Sequence, residues 1–375
     1  MSHEVLRNSF LINWEMDFVG WGVVVLVSTI TLSGCLLLYS AAGGIFQIWA
    51  NKHMYTFLMF GCFALSFNYL NIRLIYRYSY HIYFFCLLLL ILAELVGYTA
   101  MGAQRWLRFG TINIQPSEIM KVAMILVLAR YFHNAHSSYI RTIRGVLWPT
   151  TLILIPLLLI VHQPNLGIAF ITLCIGGMMF FAAGVRIWKF IVVFMCILTA
   201  LPIMWNNLHD YQKKRVLTFL HPEEDVLGAG YNIMQSEIAI GSGGVHGKGF
   251  LQGPQTQLSF LPEKHTDFIF TLLAEEFGFI GVLILLALYF LLIGLCCVIA
   301  LNSSNYYGRM IAIGVASMLF IYVIVNVAMV AGILPVVGTP LPLLSYGRSN
   351  LSTMLISFGL VLNVNTNKKQ ILRSK

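Results

Sequence analysis

The chain has 375 residues, 59% of them hydrophobic and only 10% charged, against about 25% charged in a soluble domain. Its mean hydropathy of +0.82 and repeated apolar runs of roughly 20 residues exclude a soluble enzyme. The net charge of +9 is carried by basic residues scattered singly and in pairs at the ends of apolar runs, a placement that orients a membrane protein rather than gripping nucleic acid.

The fold class predicted is all-α: a polytopic integral membrane protein of about ten helices, because lipid-exposed backbone must satisfy its own hydrogen bonds. The spans fall near 18–41, 54–70, 79–100, 117–133, 145–161, 167–184, 187–205, 268–300, 309–331 and 347–365. The N-terminal stretch lacks a short apolar core followed by a small-residue cleavage site, so the first span is expected to stay in the protein. The eighth run exceeds one bilayer thickness and must tilt, kink or project. Arg73, Arg77, Arg141, Arg144, Arg186, Lys189 and Arg309, with Lys368, Lys369, Arg373 and Lys375 in the tail, place both termini in the cytoplasm. The seven cysteines all lie in apolar runs, so neither structural disulfides nor a metal cluster is expected.

Three segments then face outward. The first, residues 101–118, carries Arg105 and Arg108 on the face where a topogenic signal would not put them. The second is a loop of about 60 residues before the eighth helix, from Asn206 to Thr266, far longer than an ordinary connection. The third, "LPVVGTPLPLLSYG" (334–347), holds prolines and glycines that forbid a regular helix. Irregular backbone at membrane depth must line a cavity or lie buried in protein.

The chemistry concentrates in these segments. Nine of the fourteen acids lie between Asp210 and Glu276. Glu223 to Asp225 read as a solvated loop. Asp267 precedes Phe268-Ile269-Phe270, where water gives way to an apolar helix. Desolvation there would make its carboxylate a better base, while a helix N-cap is the structural alternative. Glu118 and Lys121 stand at i, i+3 on one helix face. Charges inside a span face a bundle interior or cavity, so the pair is either a structural ion pair or part of a site. Glu94 has no evident partner. The glycine-rich segment 228–250 suits close approach to phosphate but matches neither a Walker nor a dinucleotide pattern.

The motifs "LYSAAGG", "RWLRFGTINIQPSEIMK", "QPNLG", "GAGYNIMQSEIAIGSGGVHGKGF", "FLPEKHTDFIF", "AEEFG" and "LPVVGTPLPLLSYG" together resemble the SEDS family of bacterial cell-wall polymerases. Within that family the stretch around "LPEKHTDFIF" looks like the RodA, elongation branch. The resemblance covers nearly the whole chain and implies one SEDS transmembrane domain over 1–375, with 206–266 as its large periplasmic loop. It implies a peptidoglycan glycosyltransferase that polymerises lipid II at the outer face of the inner membrane during elongation. Asp267 matches the family's essential aspartate. Arg105, Glu118, Lys121, Glu263, His265, Ser345 and Arg348 become candidates for substrate binding. A divalent cation, Mg or Mn, is expected, possibly held by Asp267. A class B penicillin-binding protein and other elongation-complex proteins are the expected partners.

The chain departs from the family pattern at Asn165, where an aspartate is common, at Val226, where a proline is common, and at Arg348, where a glycine is usual. Arg348 either opens the local packing or faces the cavity and contacts an anion. Two other readings fit ten spans and a charged cavity: a flippase for lipid-linked precursor, and a non-catalytic scaffold for the transpeptidase. A flippase needs polar groups on a path reaching both faces, and the cytoplasmic half offers few acids.

Overall fold

The computed structural model describes residues 17–100, 103–109, 112–163, 165–207, 213, 217–219, 221, 228–258 and 263–372. Each of the ten predicted spans overlaps a helix. In chain order these are α1 (Phe18–Ala41), α2 (Ala50–Ser66), α3 (Ile72–Val96), α4 (Pro116–Asn134), the short α5 (Ser137–Ile140), α6 (Arg144–His162), α7 (Leu166–Ala182) and α8 (Ile187–Asn207). Then come α9 (Ala229–Gly243) and α10 (Pro254–Gln257) within the long loop, followed by α11 (Ile269–Asn302), α12 (Tyr306–Val330) and α13 (Arg348–Thr366). Among the described residues α1, α3, α6, α11 and α12 are long and apolar enough to cross a membrane. Residues 1–16, Pro164, Glu223 to Asp225 and the Arg373 and Lys375 of the tail lie outside the described residues.

Two expectations need correction. The third helix starts at Ile72 rather than 79, because Asn71 caps it, its side chain accepting from the Arg73 N–H at 3.0 Å. Arg73 and Arg77 are therefore helical, not in a loop. The same helix ends at Val96, and the backbone turns into a three-stranded antiparallel meander: β1 (Tyr98–Ala100), β2 (Ala103–Phe109) and β3 (Ile112–Ile114). Within β2, Arg105 is half-buried and Arg108 exposed, as the two-residue period of a strand requires for positions three apart.

The middle of the bundle is α12, which packs on α11, α4, α7 and α13 and is buried around its circumference, the signature of an interior helix. Close helix approach uses glycine. A Cβ at Gly359 would meet the Ala64 backbone at 2.8 Å, and one at Gly314 would meet Ile125 at 2.6 Å. At the end where the chain starts, the Asp17 carboxylate caps α1 and pairs with Lys368 at 2.5 Å and with Asn365 at 2.6 Å. The beginning of α1 and the end of α13 thus lie at one face. Burial pulls the Asp17 pKa up, but the bonds from Lys368, Asn365 and Gly20 outweigh it and hold the group below its usual range.

The long eighth run is kinked. Gly278 breaks α11 with φ 64° and ψ −162°. Its freed backbone groups are taken up by the glycine-rich segment. Lys248 and Gly249 N–H donate to the carbonyls of Glu275 and Glu276 at 2.9 and 3.0 Å. Phe279 and Ile280 N–H donate to Gly244 and Val245 at 2.9 and 3.2 Å. The glycines of 244–249 therefore serve backbone-to-backbone packing. Glu275 accepts from the N–H of Gln255 and Thr256 and from the Thr256 hydroxyl, while Glu276 accepts from Leu251 N–H and pairs with Ser40. These two buried acids strap α10 and its flanking loop onto the outer part of α11.

Gly278→Ala puts a Cβ 2.3 Å from the Gly247 nitrogen in a backbone region that is essentially glycine-only and costs a side chain about 1–3 kcal/mol. The expected result is a melting temperature several degrees lower for the detergent-solubilised protein, read by differential scanning fluorimetry. An unchanged melting curve would mean the kink relaxes freely.

Candidate active site

The turn 263–268 carries Asp267 to the start of α11. Thr266 and Phe268 N–H donate to the Glu263 carbonyl at 3.2 and 3.3 Å, and the Thr266 hydroxyl donates to the Glu263 carboxylate at 2.9 Å. Glu263 is thus bound into the turn that presents Asp267. The N-cap position belongs to Phe268, which makes no side-chain capping bond. Asp267 is half-buried, and its carboxylate lies against Gly338, where a Cβ would stand 3.6 Å from Asp267 Oδ2.

The backbone of Asp267 is held by a residue that sequence reasoning missed. Asn326, fully buried on α12, donates one amide proton to the Asp267 carbonyl at 2.9 Å and the other to the Thr339 carbonyl at 2.7 Å. One side chain therefore ties the turn to the segment 334–347. An asparagine inside the apolar run "VIVNVAMV" was the available signal, since polar groups in spans are costly to keep.

Segment 334–347 is irregular, and residues 341–345 within it are buried. Ser345 is buried and its Oγ accepts from the Leu341 N–H at 2.8 Å. Tyr289 hydroxyl donates to the Pro342 carbonyl at 2.5 Å, and His53 Nε2 meets the Leu343 carbonyl at 3.2 Å. Leu343 has φ 66°, an uncommon state for a side-chain-bearing residue. Gly167 and Gly34 admit Val337 and Leu344 so closely that a Cβ would come within 2.3 and 2.6 Å of them. Asn165, the amide that stands where the resemblance leads one to expect a carboxylate, caps α7 by accepting from the Ile168 N–H at 3.4 Å. That capping role survives the exchange of acid for amide.

Glu118 and Lys121 lie below this end, 2% and 0% exposed. They pair at 2.7 Å. Tyr322 of α12 donates to both Glu118 oxygens at 2.9 and 3.1 Å and also contacts Lys121. Asn350 of α13 donates to Glu118 Oε2 at 3.0 Å. The pair thus has internal partners from two other helices, and neither member reaches the surface. Tyr322 and Asn326 stand one turn apart on one face of α12, so the same helix face joins this network to Asp267.

His265 stacks on Trp49 with ring centroids 4.3 Å apart at 11°, and its carbonyl accepts from the Tyr346 N–H at 2.9 Å. Burial holds its pKa below the usual imidazole value, with Glu263 opposing and Lys264 adding to the shift. Burial likewise lowers that of Lys264, against the pull of Glu275; its ammonium donates to the Thr256 carbonyl at 2.5 Å. Arg348 is exposed at the first turn of α13. Beside it, Ser349 donates to the Asn113 carbonyl and accepts from the Gln115 N–H, at 3.1 and 3.2 Å, docking the meander that carries Arg105 onto α13. Glu94, without an evident partner in the sequence, pairs with His162 at 2.6 Å.

Asp267, Glu263, His265, Ser345 and Arg348 therefore gather around one end of the bundle, with Glu118 and Lys121 buried beneath. Among the described residues there is no group of three or more His, Cys, Asp or Glu able to hold a metal. The donor set fits a cation shared between one carboxylate, water and a phosphorylated substrate, as Mg²⁺ commonly is, rather than a protein-built cage.

Asn326→Ala removes both of its hydrogen bonds and frees the Asp267 turn. Catalytic turnover is expected to fall about 10–100-fold with little change in KM, the scale of a misplaced reacting group. Steady-state kinetics of the purified variant would check this, and turnover within twofold of the parent would reject the tie.

Comparison with known proteins places the chain. The FtsW/RodA/SpoVE family model, described as cell cycle protein, matches residues 11–370. The chain is 47% identical over 296 residues to the peptidoglycan glycosyltransferase MrdB of Escherichia coli K12, covering 78% of this chain and 79% of that protein. It is 39% identical over 296 residues to MrdB of Helicobacter pylori, covering 77% and 75%. The crystal structure of the rod shape determining protein RodA of Thermus thermophilus superposes with a TM-score of 0.72 at 30% identity, over 96% of this chain and 99% of that one. A chain from a structure on the coordination of polymerization and crosslinking by a peptidoglycan synthase complex superposes with a TM-score of 0.81 at 33% identity, over 93% and 98%.

Proposed function

The chain belongs to the FtsW/RodA/SpoVE family of cell cycle proteins, and from that premise we infer that it is a peptidoglycan glycosyltransferase, polymerising lipid II into glycan strands for cell elongation and shape. The observation that carries the reading is Asp267: a carboxylate at the junction of loop and apolar helix, its backbone fixed by Asn326 and its oxygen set against Gly338. A glycosyl acceptor hydroxyl must meet its base in the aqueous headgroup zone while the lipid tail of the donor stays in the membrane. The start of α11 meets both conditions.

In this mechanism the Asp267 carboxylate takes the proton of the acceptor 4-hydroxyl. The oxygen so activated forms a bond to the donor anomeric carbon, and the bond from that carbon to lipid pyrophosphate breaks on the opposite side, with inversion. Negative charge grows on the departing pyrophosphate. Arg105 and Arg348, at the same end of the bundle, supply positive charge there. A divalent cation, Mg²⁺ or Mn²⁺, would be held near Asp267 and would neutralise leaving-group charge when bound. Glu118 and Lys121 are buried with internal partners, so they serve the site by fixing α4, α12 and α13 relative to one another. Glu263 and His265 fix the turn.

The protein works in the bacterial inner membrane with both termini cytoplasmic. The Lys and Arg distribution supports this orientation, and the Asp17–Lys368 pair is consistent with it. Its partner is a class B penicillin-binding protein, whose transpeptidase crosslinks the strands made here.

The test is polymerisation of labelled lipid II by the purified full chain, alone and with its class B partner, with Mg²⁺ or Mn²⁺ present. Glycan polymer is the expected product. Absence of polymer even with the partner, together with lipid II translocation across proteoliposome bilayers, would establish a flippase instead.

A further inference from the structure

The turn that presents Asp267 is pinned from three directions, and one of them comes from a part of the chain that no motif singled out. Asn326 holds the Asp267 carbonyl and Tyr346 N–H holds the His265 carbonyl. The third pin is the indole of Trp49, stacked face to face on the His265 ring at 4.3 Å and 11°. The Tyr346 ring lies 6.0 Å from the imidazole, tilted at 45°.

Trp49 stands at the N-cap position of α2, and His53 follows one turn later. On a helix these positions share a face. Trp49 grips the turn 263–268, and His53, 1% exposed, grips the carbonyl of Leu343. Leu343 carries positive φ, a state that persists only where the surroundings over-determine it. The first turn of α2 therefore holds both the segment that carries the carboxylate and the segment that faces it across Gly338. A ring stack suits this task, because it fixes the rotation of the imidazole and so the backbone two residues before the base. A single hydrogen bond would leave that rotation free.

We propose that Trp49 is a positioning residue for glycosyl transfer: through its stack on His265 it holds the Asp267 carboxylate at the distance the acceptor hydroxyl requires. The proposal rests on the reading of Asp267 as the base. It extends the active site to the loop between α1 and α2, which contributes no group to the chemistry itself.

The experiment uses the full-length protein with its class B partner and lipid II, and compares Trp49→Ala, Trp49→Phe, His265→Ala and the double variant Trp49→Ala/His265→Ala. A misplacement of about 1 Å costs up to 10²-fold, so Trp49→Ala is expected to lower kcat at least about tenfold with KM for lipid II within about twofold. Trp49→Phe keeps a flat ring and restores most of the loss. If Trp49 acts through His265, the double variant is no worse than the worse single one, since coupled residues are non-additive. Hydrogen exchange over residues 263–270, read by mass spectrometry, rises in Trp49→Ala and not in Trp49→Phe. Should Trp49→Ala fail to fold, Trp49→Leu takes its place, retaining apolar volume without a ring face.

Parent-like kcat in the Ala or Leu variant overturns the proposal. So do losses that multiply in the double variant, or a change confined to KM, which would make Trp49 a substrate contact. The exchange measurement does not depend on which reaction the site performs. Unchanged exchange rejects the clamp, whereas raised exchange with no polymer from the parent protein rejects the glycosyltransferase reading and leaves the clamp standing.

Discussion

Asp267→Asn is expected to lower lipid II polymerisation by about 10²–10⁴-fold, the share a positioned general base contributes. The substitution suits the test because it changes one atom and little else. Both hydrogen bonds from Asn326 go to backbone carbonyls, at Asp267 and Thr339, so the turn and the segment 334–347 keep their ties. The amide fills the same space against Gly338 but takes up no proton. Thermal unfolding in detergent and copurification with the class B partner should match the parent, which separates loss of chemistry from loss of fold. Polymer formation within tenfold of the parent would remove Asp267 from the mechanism.

The second large effect is on stability. Lys121→Met leaves the Glu118 carboxylate at 2% exposure with only the neutral donors Tyr322 and Asn350. Removing one partner of a buried ion pair costs about 3–5 kcal/mol, because the remaining charge is stranded. The same reasoning predicts that Glu118→Gln together with Lys121→Met recovers most of that loss. A neutral amide at 118 still accepts from Tyr322, and methionine fills the lysine's volume. Unfolding midpoints of the two single variants and the double variant, measured in one detergent, check both halves. A double variant as unstable as Lys121→Met would show that the pair's charge itself holds α4, α12 and α13 together. Polymerisation by a stable double variant would identify the pair as structural support, and its absence would give the charges a further part in the reaction.

Much of the frame was legible because apolar runs report helices directly. Boundaries were not, where a cap rather than hydropathy sets them: Asn71 starts α3 ahead of two arginines and two tyrosines, Tyr76 and Tyr78, that hide the helix from a search for grease. The meander at 98–114 was read as a functional loop, although "AQRWLRF" alternates its faces as a strand does. The kink was foreseeable only as one of three ways to accommodate an overlong run. That it falls at Gly278, with 244–249 repairing the broken ladder, depends on a contact between separate segments. The candidate site shows the same division. Asp267, Glu118 and Lys121 stand out because charge at an apolar boundary is expensive. Trp49, Tyr322, Asn326 and Asn350 are ordinary letters in apolar or small-residue stretches. They matter through partners such as His265 and Glu118 that lie far away along the chain.

The segment 334–347 also has a consequence for how the protein is made. Its carbonyls wait on Tyr289 from α11 and His53 from α2, and its close packing needs Gly34 of α1 and Gly167 of α7. His53 and Leu343 are 290 residues apart. Ribosomes deliver α1 and α2 to the bilayer long before the segment they grip exists, so His53 enters a membrane with its final partner unsynthesised. That end of the bundle is completed only after α12 has been made. A nascent chain that ends before residue 334 carries Asp267 but not Gly338 and the segment it sits against.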